Sequence, residues 1–286
     1  MKFARKILIV IGLTCSMTIH AEALKLGIIG DAGLWNRNSE AVQKSLTRMF
    51  VKKLVLPGDN LYSSTYSDVW GHWSSNDFTF DVVAIGNHNG GYAEEIRFFQ
   101  MPSEFFSVVK GGTRFIVLNS DNTLNVPAQA AFLTDELTAA TEGRVFIVYH
   151  HPTYTVSQTH RWTDKKVFQL AVRPIFKRFR SKITSLVVGH DHLALFAHFG
   201  DLPVILSGAV QEVRAGTPMT GEQDGVQVTT NWFFDGTPYW ARLVIPESGR
   251  TAQVDFIRAS DDRVSCSISL ETGQRGVLAP NCSARR

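Results

Sequence analysis

The sequence predicts an α/β fold, and three observations carry that prediction. Short apolar, β-branched runs recur along the chain, several lead directly into polar residues, and stretches with helical spacing lie between them. In chain order, the run 24–29 leads into Gly30-Asp31-Ala32-Gly33, and 54–56 into Pro57-Gly58-Asp59-Asn60. Runs 82–85, 145–149 and 186–188 lead into Gly86-Asn87-His88-Asn89, His150-His151-Pro152 and Gly189-His190-Asp191-His192. Each reads as a buried strand ending in a polar loop. Helices are expected at 39–50, capped by Asn38-Ser39, at 128–140, and at 167–179, the last interrupted by Pro174. Further strands are expected at 114–118, 204–207, 239–245 and 252–257. These strands are too many for one parallel sheet with a helix after each. No internal repeat or linker is visible.

Composition narrows the function classes. A hydrophobic fraction of 44% in 286 residues supplies a sizeable core and excludes disordered and collagen-like chains. The net charge of +3 invites a nucleic-acid or membrane reading, but much of it sits at the N-terminus. There Lys2, Arg5 and Lys6 flank an apolar run at 7–13, and Ala21-Glu22-Ala23 fits a cleavage site. Residues 1–23 are expected to be a cleaved secretory signal, the run being well short of the ~20 residues that span a bilayer. Cleavage removes three basic residues and Glu22, leaving 26 basic and 25 acidic side chains. The mature chain is therefore expected to be secreted or periplasmic, without stable membrane association and without a nucleic-acid partner. Lys165, Lys166, Arg173, Lys177, Arg178 and Arg180 cluster on a helix and read as a solvated face. Cys15 leaves with the signal, and Cys266 and Cys282 are expected to pair in an oxidising compartment. Such a loop contributes about 3 kcal/mol in the chain-entropy model. The expected organisation is signal 1–23, catalytic domain 24–258 and a disulfide-tied extension 259–286.

In open α/β sheets, ligands bind beyond the carboxyl ends of strands. Those ends supply Asp31, Asp59, Asn87, His150, His190 and His192, and the same loops supply Tyr62. Carboxylate, amide, imidazole and phenolate donors suit transition metals of intermediate hardness. Seven donors exceed the four of one zinc site and suit two ions about 3.5–4 Å apart, bridged by one carboxylate. Any single Gly-Asp at a strand end is ordinarily a turn. The weight lies in five motifs in order, with six of the nine histidines (His88, His150, His151, His160, His190, His192) in or near them.

The stretches GDAG (30–33), GDNLY (58–62), GNHN (86–89), IVYH (147–150) and GHDH (189–192) resemble the five motifs of the purple acid phosphatases, in the calcineurin-like metallophosphoesterase superfamily. Asp-x-Gly in the first motif, and Tyr62 three residues after Asp59, favour this branch. The resemblance covers residues 24–250 and fits the small, single-domain form. It implies two packed mixed β-sheets flanked by α-helices, a four-layer sandwich. It implies that Asp31, Tyr62 and His192 hold a ferric ion, that Asn87, His150 and His190 hold a divalent Fe, Zn or Mn ion, and that Asp59 bridges the two. His88 would match the family's outer-sphere histidine, a candidate proton donor to the leaving group, and His160 a second family histidine near the substrate, both catalytic. His151 is expected to point elsewhere, and Asp191 to stand behind the ligands or at the surface. The chain departs from the family pattern at Asn89, where an acidic residue is usual, which leaves the pH optimum open. The implied activity is that of an exported acid phosphatase hydrolysing small phosphomonoesters by in-line attack of hydroxide on phosphorus. The alternatives are a metal-dependent phosphodiesterase acting on nucleotides, and a secreted binding protein that uses the fold without catalysis.

Overall fold

The computed structural model describes residues 23–282. The expected signal segment, apart from Ala23, lies outside the described residues, as do residues 283–286. Among the described residues no helix is long and apolar enough to cross a membrane.

The elements run β1 (Leu24–Ile28), α1 (Arg37–Arg48), β2 (Lys53–Leu56), α2 (Tyr66–Ser74), β3 (Thr79–Val83), α3 (Tyr92–Phe99), β4 (Phe106–Lys110), β5 (Thr113–Val117), α4 (Val126–Ala139) and β6 (Arg144–Val148). They continue with α5 (Lys166–Arg178), β7 (Ser185–Val188), β8 (Ala194–Phe199), β9 (Leu202–Ser207), β10 (Thr220–Gln223), β11 (Val226–Phe234), β12 (Tyr239–Ile245), β13 (Ala252–Arg258), β14 (Val264–Leu270) and β15 (Val277–Leu278). One sheet has the order β15-β14-β13-β12-β1-β2-β3 and the other β10-β11-β8-β9-β7-β6-β5-β4. In the first, β1, β2 and β3 are parallel. In the second, β5, β6, β7 and β9 are parallel. The surplus of strands is thus accommodated in two mixed sheets, as expected.

Strand periodicity explains the layering. In β6, Phe146 and Val148 join the core between the sheets, where Leu26, Val55 and Phe256 also lie. Their neighbours Val145 and Ile147 face the other way, against Leu133 and Leu137 of α4 and Phe168 and Val172 of α5. On the outer face of the first sheet, Leu54, Leu56 and Val83 pack against Val42 and Leu46 of α1 and Trp70 and Trp73 of α2. Strands covered on both faces read as unbroken apolar runs, which is why the motif-bearing ones are legible in the sequence. The result is helices, sheet, sheet, helices.

Three differences from expectation have local causes. Helix α1 starts early because Asn36, not Asn38, is the cap, its side chain accepting from the Asn38 and Ser39 N–H groups. Pro174 lies inside α5 without ending it. The polar tail after Ala259 is part of the fold: β14 pairs with β13 from Ala252↔Leu270 to Ile257↔Val264. Cys266, Ile268 and Leu270 point inward while the intervening serines point out, so its mean polarity concealed a half-buried strand. The boundary expected after residue 258 therefore falls inside a hairpin. Cys266 and Cys282 are joined, with Cα atoms 4.2 Å apart.

Candidate metal centre

The carboxyl ends of the parallel strands of both sheets converge. Gly30 N–H donates to Ser207 O at 2.6 Å, and Ser207 Oγ donates to Ile28 O at 2.8 Å, which ties the end of β1 to the end of β9. Two glycines permit the crowding behind the site. A Cβ on Gly86 would lie 2.2 Å from Asp59 N, and one on Gly58, at φ +103°, 2.6 Å from the His150 ring. Four of the ten non-glycine residues with positive φ among the described residues are Asp31 (55°), Asp59 (57°), His190 (75°) and His192 (52°). Strained backbone of this kind concentrates where a side chain must be aimed.

Two groups of donors result. Ligand atoms of Asp31, Asp59 and His192 lie within 4.8 Å of one another, as do those of His150, His151 and His190. All six side chains are buried. The half-buried Tyr62 closes the first group: its hydroxyl donates to Asp59 Oδ2 at 2.8 Å and lies 3.2 Å from Asp31 Oδ1 and 3.0 Å from His192 Nε2. Asp59 joins the groups, its Oδ1 lying 3.0 Å from His150 Nε2, which is 3.2 Å from His190 Nδ1. A carbonyl or carboxylate oxygen lies behind each of three histidines. His150 Nδ1 meets Pro57 O at 3.0 Å, His192 Nδ1 meets Glu212 Oε2 at 3.1 Å, and His190 Nε2 faces Asp164 Oδ2 at 3.9 Å. The Pro57 carbonyl orients the His150 imidazole and fixes which of its nitrogens turns inward.

The electrostatics fit cations. Burial pushes Asp31 well above the usual carboxylate range, with His150 opposing and Asp59 adding to the rise. Burial acts the same way on Asp59, but His150 and the His88 N–H outweigh it and hold this carboxyl ionised. Burial, then Asp31 and Asp59, hold the proton on Tyr62. Burial opposes charge on His150, yet Asp59 pushes its pKa up to about 9. Burial and neighbouring cationic groups lower His190 and His192, the latter to about 4, so both are neutral, the form that binds metal. Buried carboxyl groups, imidazoles and a phenol, clustered with the ionised Asp59 at their centre, suit positive ions of intermediate hardness.

The other expected residues divide. Asn87 is exposed, and so is His88, although the His88 ring stacks on Tyr62 at 4.3 Å and its N–H donates to Asp59 Oδ1 at 2.8 Å. His160 is half-buried and stacks on His190 at 3.9 Å, with its Nδ1 3.5 Å from Asp191 Oδ1. Asp191 is buried behind it, where it accepts from Thr155 Oγ1. His151, expected to point away, instead joins the second group, because Ser120 Oγ holds its Nδ1 at 2.8 Å and Gln169 Nε2 donates to its carbonyl. Asn89 spans its own loop, donating to Gly86 O and accepting from Gly91 N–H.

Four site residues escaped the sequence reading. Asp164, Glu212 and Arg214 belong to no motif, although the loop after the expected strand 204–207 was a place to look. The fourth is Glu95, which is buried and accepts from Asn60 Nδ2 at 2.6 Å and from Tyr66 Oη at 2.8 Å. Tyr66 Oη in turn accepts from Gly90 N–H at 2.9 Å, so one carboxyl braces both the Asp59 loop and the His88 loop. Burial raises Glu95 from 4.5 to about 7, against the opposing hydrogen bonds. The folded state therefore holds this proton longer than the unfolded state. The Glu95 contribution is fully present below pH ~4.5 and falls by about 3 kcal/mol as pH rises to ~7. Glu95→Gln lacks this slope. Denaturant unfolding of metal-stripped protein at pH 5 and pH 8 is expected to show the variant gaining on wild type at the higher pH. An unchanging difference would refute it.

No family model matches the chain, and no curated protein matches it. Solved structures do. GAP50, the anchor in the inner membrane complex of Plasmodium, superposes with a TM-score of 0.70 at 14% identity over 88% of this chain and 90% of that one. Purple acid phosphatase PPD1 from yellow lupin seeds gives 0.67 at 14% identity over 87% of this chain, which spans about half (54%) of the lupin chain. A dimetal phosphatase from Danio rerio gives 0.56 at 12% identity over 88% of this chain and 100% of that one. The likeness is one of fold, the calcineurin-like metallophosphoesterase fold.

Proposed function

We propose that the protein is an exported binuclear-metal acid phosphatase of the purple type, hydrolysing small phosphomonoesters, with residues 1–23 cleaved and no nucleic-acid partner. The observation that carries this reading is the meeting of the Tyr62 hydroxyl with Asp31, Asp59 and His192 beside the His150 and His190 pair. Asp31, Tyr62 and His192 would hold a ferric ion, and Asn87, His150 and His190 a divalent Fe, Zn or Mn ion, with Asp59 between them. Bound there, two ions would supply an activated water near neutral pH, would neutralise phosphoryl charge and would give a coloured complex with the Tyr62 phenolate. The chain does the rest. Asp59 keeps the donor groups in register through its contacts with His88 N–H, Tyr62 and His150. Open to solvent and stacked on Tyr62, His88 gives its ring proton to the leaving alkoxide. His160, backed by Asp191, stands on the opposite flank beside His190.

Purified mature protein loaded with iron is expected to show a visible absorption band and to cleave an aryl phosphate, and Tyr62→Phe to lose the band. A colourless protein with stoichiometric iron and no turnover at any pH would overturn the reading. A second reading, a binding protein on the same fold, draws on the likeness to GAP50, described as an anchor. A pure binder would keep its biological effect in His88→Ala.

A further inference from the structure

Beyond the donor groups, the loop after β9 sends a cation to the rim of the centre. Arg214 N–H donates to His192 O at 2.9 Å, which pins the residue beside the ligand loop. Its Nη2 lies 2.9 Å from Glu212 Oε2, the same oxygen that meets His192 Nδ1. Its Nη1 lies 3.4 Å from His160 Nε2. A guanidinium only donates, so His160 Nε2 is the accepting atom of this contact, while His160 Nδ1 lies 3.5 Å from Asp191 Oδ1. Arg214 is a third exposed, at 33%, so its fork retains hydrogens directed to solvent. A fixed, accessible guanidinium beside the donor cluster is a donor to an anion bound there.

Chemistry identifies the anion. A phosphomonoester dianion presents three unesterified oxygens, whereas a diester presents two and a single charge. If the ion pair takes two oxygens, a monoester has one charged oxygen left for a side-chain fork, and a diester has a substituent there. Resting on the phosphatase reading above, we propose that Arg214, oriented by Glu212, is a specificity-determining residue that selects phosphomonoester dianions over diesters.

The test uses the metal-loaded protein and its Arg214→Met and Arg214→Lys variants. Three quantities are read: kcat/KM for an aryl phosphate and for a bis-aryl phosphate, metal content, and inorganic phosphate affinity by calorimetry. Losing a charge-assisted pair of hydrogen bonds costs roughly 10- to 100-fold. Arg214→Met is expected to lose that factor in monoester kcat/KM and in phosphate affinity. Its diester kcat/KM should fall less than about fivefold on the same scale, with metal content unchanged. Arg214→Lys, which keeps the charge but not the fork, should fall between. Equal losses on both esters, unchanged phosphate affinity, or loss of metal in both variants would each overturn the proposal. If wild type binds phosphate but cleaves neither ester, the phosphatase reading fails, and the calorimetric comparison still decides whether Arg214 holds the anion.

Discussion

Asp59→Asn is expected to lower aryl phosphate turnover by at least about 10³-fold and to reduce bound metal, measured by elemental analysis of the purified variant. The size of the effect follows from the position of this carboxyl. Both oxygens are in use: Oδ1 accepts from His88 N–H and meets His150 Nε2, and Oδ2 accepts from Tyr62. Asparagine matches the volume but puts an NH₂ donor where one oxygen was. At Oδ2 the amide would oppose the Tyr62 O–H, and at Oδ1 the His88 N–H. A buried donor left without an acceptor costs about 1–3 kcal/mol. The variant also removes the anion that keeps His150 charged in the metal-free protein. Circular dichroism should stay close to wild type, because Asp59 lies in a loop outside the three apolar clusters. Two equivalents of metal and undiminished turnover in Asp59→Asn would remove Asp59 from the centre.

His88→Ala is expected to lower kcat by roughly 10²- to 10⁴-fold, the range for losing a general acid, while metal content stays unchanged. The two effects separate because His88 contributes in two ways. Its backbone N–H binds Asp59 Oδ1 and survives the substitution, whereas its exposed ring touches the centre only by stacking on Tyr62. The loss should be larger for alkyl than for aryl phosphates, since a more basic leaving oxygen depends more on the donated proton. If kcat for an alkyl phosphate stays within about threefold of wild type, His88 is not the proton donor.

The motif-bearing strands were legible because each is covered on both faces and therefore unbroken in its apolar run, as in Phe146 and Val148 against one layer and Val145 and Ile147 against the next. Strand β8 is equally buried, yet it follows GHDH so closely that it merged with the motif, and His198 disguised it. Helices α2 and α3 are short and rich in aromatics; α3 opens at Gly91 without a side-chain cap, and the one starting signal of α2, the Thr65–Asp68 capping box, precedes only nine helical residues. Strand β14 alternates apolar residues with serine and reads as a tail until its partner β13 is known.

The donor set was legible for a related reason. Asp31, Asp59, His190 and His192 directly follow strands, and local order alone carries them to one end of the sheets. Residue type and nearest neighbours sufficed to name most of the clustered donors, the fold class and the cysteine pair. Only the tertiary structure decided what stands around those groups. Glu212 behind His192, Asp164 facing His190, Arg214 beside His160 and Glu95 bracing two loops are each set by loops and helices packed from distant parts of the chain. Spacing along a strand aims a side chain outward from its own end, whereas the charge it meets there depends on which other segment the core brings alongside.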